Sequence, residues 1–217
     1  MNFKKLFDFL RDLERNNSKE WMDANRKRYH DIRDGYISWI DELNHTLEII
    51  DKNYYSTPGK KGINRINNNL MFHPNKPVYK DHFGAGLDKA PKTADFYIQI
   101  GIHESLLAGG FWRPDSKILQ SIREGIDYDG EEFKKILQKR SFQDVFGGLV
   151  HDQKLKMAPK GFSKEHPHLD LLKNKTFAVM HPLTESDILQ DNFKEKVVEV
   201  YKEMLPFRRY LNKTVTV

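Results

Sequence analysis

Residues 94–112, ADFYIQIGIHESLLAGGFW, decide the fold. Phe96, Ile98, Ile100 and Ile102 alternate with Tyr97, Gln99, Gly101 and His103, and a period of two predicts a strand with one buried face. Glu104-Ser105 turns the chain back, and LLAGGFW forms a second strand beside the first. Gly109-Gly110 offers no side chain to pack, so the pair predicts a bulge or a place where another backbone or a ligand comes close.

Upstream, the period is helical. Phe3, Leu6, Phe7, Leu10 and Leu13 place an amphipathic helix over residues 3–14. Asn17, with Glu20 three positions on, is expected to cap the next helix. That helix carries Trp21, Tyr29, Ile32, Tyr36, Ile40, Leu43, Leu47 and Ile50 at spacings of three, four or multiples of these, and is expected to bend near Gly35. Downstream, Pro114-Asp115 opens a helix through Ile118, Ile122 and Ile126, and residues 131–138 make another. Residues 177–180 read as a buried strand, Thr184 with Asp187 starts a short helix, and residues 193–205 form a last amphipathic helix that Pro206 bends or ends. Helices in a run with strands clustered mid-chain give an α+β class. The expectation is a single compact domain over residues 1–217: a mainly antiparallel central sheet with a long N-terminal helix and a C-terminal helix packed on it.

At 217 residues and 38% hydrophobic composition the chain has ample material for one core. It has no cysteine, which excludes disulfides, thiolate metal sites and thiol nucleophiles. Asp8, Arg11 and Asp12 interrupt the apolar start, and no run approaches the length of a membrane span, so a cytoplasmic protein without membrane partners is expected. The net charge of +5 is concentrated: between Lys52 and Lys92 there are eight Lys or Arg against Asp81 and Asp88. Such a field favours anionic partners.

Within that region lies residues 65–86, RINNNLMFHPNKPVYKDHFGAG, a short strand running into a loop punctuated by proline. Arg65, Lys76 and Lys80 are candidates to hold a phosphate or carboxylate, Arg by its bidentate fork and Lys as mobile point charges, with Tyr79 and Phe72 as stacking faces. Gly109, Gly110, Trp112 and Arg113 form a second candidate segment, with glycine backbone open to a ligand and an aromatic wall beside a cation. His166 and Asp170, in HPHLD, are the candidates for proton transfer. The expected site joins the 65–86 block, the GGFWR strand and the loop around HPHLD. The pairs His103-Glu104 and His151-Asp152, His181, and His166 with His168 and Asp170, have metal-ligand chemistry but no recognised spacing, so neither a metal nor another cofactor is expected. No nucleotide-binding glycine motif and no GxSxG occurs. A small anionic ligand is therefore the favoured partner. The alternative is a non-catalytic scaffold that meets protein or, less favoured, nucleic acid through a basic face at 52–92, because no nucleic-acid-binding signature is present.

Four separated blocks carry a resemblance: FLRDLERNNSKEWMDANRKRY at 9–29; Arg65-Ile66 with Lys76, Tyr79-Lys80 and Phe83-Gly84; GGFWRP at 109–114 with Ile122-Arg123; and LKMAPKGFSKEHPHLDLLKNKTF at 155–177. In that order they resemble the family called domain of unknown function 2461. The resemblance implies one compact domain and supplies no reaction. It also implies a more charged central block than Asn68, Asn69 and Met71 provide here.

Overall fold

The computed structural model describes residues 1–217. Four strands, His82–Leu87 (β1), Asp95–Gly101 (β2), Ser105–Phe111 (β3) and Phe177–Leu183 (β4), make one antiparallel sheet in the order β1-β2-β3-β4, within an α+β fold. The hairpin read at 94–112 is β2 and β3. The first strand carries no clear period in the sequence, where residues up to Gly86 are expected to be loop. It forms because Phe83, Ala85 and Leu87 share the buried face. The intervening glycines admit close neighbours: a side chain on Gly84 would strike the Tyr97 hydroxyl, and one on Gly62 would lie 2.7 Å from the Gly86 carbonyl oxygen. Two glycines in six residues hide the period-two signal while making the strand fit.

The first helix, Phe3–Arg15 (α1), is capped by Asn2, whose side chain accepts from the Lys5 amide at 3.0 Å, and buries Leu6, Phe7, Phe9, Leu10 and Leu13. The long helix expected after Asn17 is two helices, Lys19–Ala24 (α2) and Arg26–Ile50 (α3), broken at Asn25 rather than bent at Gly35. Ser18 caps α2 by accepting from the Trp21 amide, and Asn25 turns its own amide onto the Trp21 carbonyl. Asn17 instead holds the backbone of Tyr79. A single turn, Gly59–Gly62 (α4), follows. Downstream, Ser116–Gln138 (α5) joins the two predicted helices across a non-helical Asp129, and Arg140–Phe146 (α6) and Leu169–Leu172 (α7) are short. Thr184 and Asp187 form a reciprocal capping box at the start of Glu185–Ile188 (α8). The last helix, Phe193–Thr214 (α9), runs through Pro206 instead of stopping there. Proline costs a helix interior about 3 kcal/mol, whereas the fully buried Phe207 and Leu211 beyond it each return about 1.5–3 kcal/mol. Burial wins.

The chain divides into two compact units. The first comprises Met1–Lys89, Tyr97–Leu107 and Pro182–Val198. Its core is aromatic: α1 packs on the sheet through Phe9 against Phe83, Tyr36 of α3 meets Phe83 edge-on at 5.8 Å, and Trp39 stacks on Phe193 at 5.5 Å. The second comprises Ala90–Phe96, Ala108–His181 and Glu199–Val217. Here α9 packs on the sheet through Tyr201 against Phe96 at 5.2 Å, and Phe133 of α5 stacks on Tyr210 at 4.6 Å. Arg208, buried in this unit, donates to the Ala94 carbonyl. No helix is long and apolar enough to cross a membrane.

Candidate functional site

The 65–86 block is a hairpin arm. Its two sides are tied by Lys80 N–H donating to Ile66 O at 2.8 Å, by Asn68 N–H donating to Val78 O at 2.9 Å and by a bridge between Asn67 and Tyr79. A further bridge from Ile63 to Ala85 fastens the arm to β1. Between the sides, residues 69–77 form a turn-rich loop whose Leu70, Met71 and Phe72 stand in solvent at 37%, 80% and 69% exposure. Tyr79 is buried, so its ring offers no stacking face to a ligand; Phe72 keeps its own.

At the base of the arm is a cavity of about 510 Å³ lined by Arg65, Lys76, Lys80 and His73. Asn64, Asn67, Asn68 and Asn69 complete the wall, and no acid lines it. The Lys80 ammonium donates to the carbonyls of Arg65 and Asn67, the latter at 3.0 Å, which pins the arm's two sides together. Burial, with Arg65 and Lys76 close by, pushes the Lys80 ammonium below the usual lysine value. Three of the expected anion-holding residues thus share one wall.

A second cleft, of about 420 Å³, adjoins the first and shares Asn68, Lys76 and Lys80 with it. Its other side carries Glu14 from the last turn of α1, Asp81 and His82 at the root of the arm, and His103 from the β2–β3 turn. His82 Nδ1 donates to Asp81 Oδ1 at 2.8 Å, and His103 Nε2 donates to Glu14. The Glu14 carboxylate raises the His103 imidazole above its ordinary value, with Asp81 adding to it. Nothing in the sequence marks this cluster. Its members come from three segments far apart in the chain, so no spacing announces it.

The remaining candidates lie in the second unit. Of the neighbours expected to come close at Gly109-Gly110, the structure places protein there, leaving no room for a ligand: a side chain on Gly109 would meet Met204 Sδ and lie 2.9 Å from Asp95 O, and one on Gly110 would meet Phe177 O. Trp112 is 58% exposed, but Arg113 beside it is engaged, with Nε and Nη2 donating to the two Asp152 oxygens at 2.9 and 2.7 Å. Thr176 donates to the same carboxylate at 2.6 Å. Arg113, then Thr176 and the Gln153 amide, hold Asp152 well below the ordinary carboxylate range. His166 has both ring nitrogens in use, Nδ1 accepting from His168 N–H at 3.0 Å and Nε2 donating to Asp127 at 2.8 Å. Asp170 is exposed and accepts from Lys154 at 3.1 Å through each oxygen. A free proton-transfer group at His166 is therefore not what the chain builds. The HPH segment locks onto α5, where His168 packs against Gly130 so closely that no side chain fits there.

Comparison with curated proteins finds no match, and neither does comparison with solved structures. A family described as "Conserved hypothetical protein (DUF2461)" matches residues 5–210, nearly the whole chain and both clefts of the arm. The four blocks from 9–29 to 155–177 fall inside that span, and the chain belongs to the DUF2461 family.

Proposed function

We propose that the chain binds a small phosphate- or carboxylate-bearing ligand in the cavity at the base of the arm. The observation that carries this reading is an unbalanced charge. Arg65, Lys76 and Lys80 line one cavity with four asparagines and no acid, and the other two cations already act on Lys80. Like charges held together are relieved by an anion, and a guanidinium fork beside ammonium groups matches its oxygens. The asparagine amides add neutral donors that bind oxygen without further repulsion.

Inorganic phosphate tests the reading by thermal shift, since a ligand that binds only the native state raises apparent stability by about 2.7 kcal/mol at a hundred times Kd. The stabilisation is expected in the unmodified chain and in a Lys60→Ala/Lys61→Ala control, and is expected to vanish in Arg65→Ala/Lys76→Ala. Lys80 is left intact because it pins the arm. Equal stabilisation of all three proteins, or of none, sinks the proposal.

A second reading, a non-catalytic docking domain, is favoured by one observation: Leu70, Met71 and Phe72 project from an arm that is otherwise ordered by turns. Met71→Ser/Phe72→Ser would then abolish capture of a protein partner while phosphate stabilisation persists.

A further inference from the structure

We infer that the cleft beside the cation cavity is a proton-transfer site for a phosphodiester that carries a neighbouring hydroxyl, as a ribonucleotide linkage does, with His82 and His103 as its base and acid. The inference rests on the anion reading above, because the phosphate would sit on Lys76 and Lys80, which line both clefts.

Three segments are built to meet here. Asn17, just past α1, donates to Tyr79 O at 3.0 Å and accepts from Tyr79 N–H at 2.9 Å, which fixes the helix end carrying Glu14 against the arm. The β2–β3 turn is fastened to the same segment by Ile102 N–H donating to Asp81 O at 3.2 Å. Gly101 makes the approach feasible, since a side chain there would lie 2.7 Å from His82 Cβ and 3.2 Å from Asp81 O. The result is two imidazoles on one cleft, each held by a separate carboxylate through one ring nitrogen. No hydrogen bond engages the other nitrogen of either ring, Nε2 of His82 and Nδ1 of His103, and these are the atoms assigned to the substrate.

The roles follow from these bonds. Neutral His82 that donates from Nδ1 to Asp81 carries its lone pair on Nε2, where it can accept a proton. His103 is poised to be charged, because Glu14 on α1 and Asp81 on the arm both face it, and so it can donate from Nδ1. Lys76 and Lys80 oppose that charge, but they also stabilise the phosphorane-like negative charge that develops in transfer. The lining contains no Ser, Thr or Cys, so the nucleophile comes with the substrate.

The step balances. The neighbouring hydroxyl gives its proton to His82 Nε2 as its oxygen bonds to phosphorus. The bond from phosphorus to the leaving oxygen breaks, and that oxygen takes the proton from His103 Nδ1. The products are a cyclic phosphodiester and an alcohol, and solvent returns both imidazoles to their starting states. Glu14 and Asp81 are positioning residues.

The test uses a ribodinucleotide and its 2′-deoxy analogue, which has the same phosphate but no internal nucleophile. Cleavage of the first to a cyclic phosphate is expected, with at least about a 100-fold loss in His82→Ala and in His103→Ala, the usual size of a general acid or base contribution. The deoxy analogue is expected to bind all three proteins equally and to stay intact, and the Arg65→Ala/Lys76→Ala variant to lose binding. Binding of the analogue without cleavage of the ribodinucleotide by the unmodified chain overturns this inference and leaves the anion site standing. Failure of both overturns the two together. Cleavage undiminished in the histidine variants overturns the assignment of acid and base.

Discussion

Replacing Gly110 by Ala puts the packing of the GGFW strand to a quantitative test. Gly110 sits at φ +117°, a backbone conformation that costs a non-glycine residue on the order of 1–3 kcal/mol. Its added Cβ would also collide with Phe177 O and lie 2.8 Å from Ala178 Cα and 3.0 Å from the Phe207 ring. Two of these neighbours are backbone of the adjacent strand and cannot rotate away, so overpacking adds about 1–3 kcal/mol. The sum, about 4 kcal/mol, is a large part of a typical stability of about 5–15 kcal/mol. For a chain of this length it lowers Tm by roughly 8–16 °C. Gly147 supplies the internal control: it is also left-handed, at φ +66°, but nothing lies within 4 Å of where its Cβ would be. Gly147→Ala should cost strain only, about 1 kcal/mol, or roughly 2–4 °C. Melts of the two variants followed by circular dichroism give the comparison. If Gly110→Ala melts no lower than Gly147→Ala, the close strand contact is not what requires glycine, and the argument from packing fails. Phosphate stabilisation of Gly110→Ala, measured below its melt, should match that of the unmodified chain.

Other variants test single groups. Tyr36 Oη is buried with no hydrogen-bond partner, and an unsatisfied buried hydroxyl costs about 1–3 kcal/mol; Tyr36→Phe should leave the denaturant midpoint unchanged or raise it, and a clear drop would show that the hydroxyl has a partner. Asp152 is held below the ordinary carboxylate range by Arg113, so the stability it supplies is complete above that range and is lost as pH falls through its folded pKa. Asp152→Asn should therefore show a shallower decline of Tm between about pH 5 and pH 2 than the unmodified chain, and an unchanged slope refutes the pairing. His103 is raised by Glu14, so this pair stabilises below the ordinary histidine value and its contribution fades as pH rises through the folded pKa. In Glu14→Gln the His103 titration followed by NMR should move down, and a titration that stays put places the cause elsewhere.

Much of the fold is legible in the chain because it follows from local periodicity. The alternation from Phe96 to Ile102 requires a half-buried strand, the apolar stripe from Phe3 to Leu13 requires a packed helix, and Thr184 with Asp187 marks a helix start. Composition also concentrates cations at 52–92, and the order of four blocks carries the family. What depends on neighbours is not legible. The glycines of β1 read as loop until Tyr97 and residue 62 are seen pressed against them. Pro206 reads as a helix bend or end until Phe207 and Leu211 are seen buried in the same helix beyond it. Arg65, Lys76 and Lys80 can be picked out as cations, but only the hairpin ladder of residues 66–68 with 78–80 sets them around one cavity. Glu14, His82 and His103 carry no mutual signal in the chain, since side chains from three distant segments become partners only when folding brings those segments within hydrogen-bond reach.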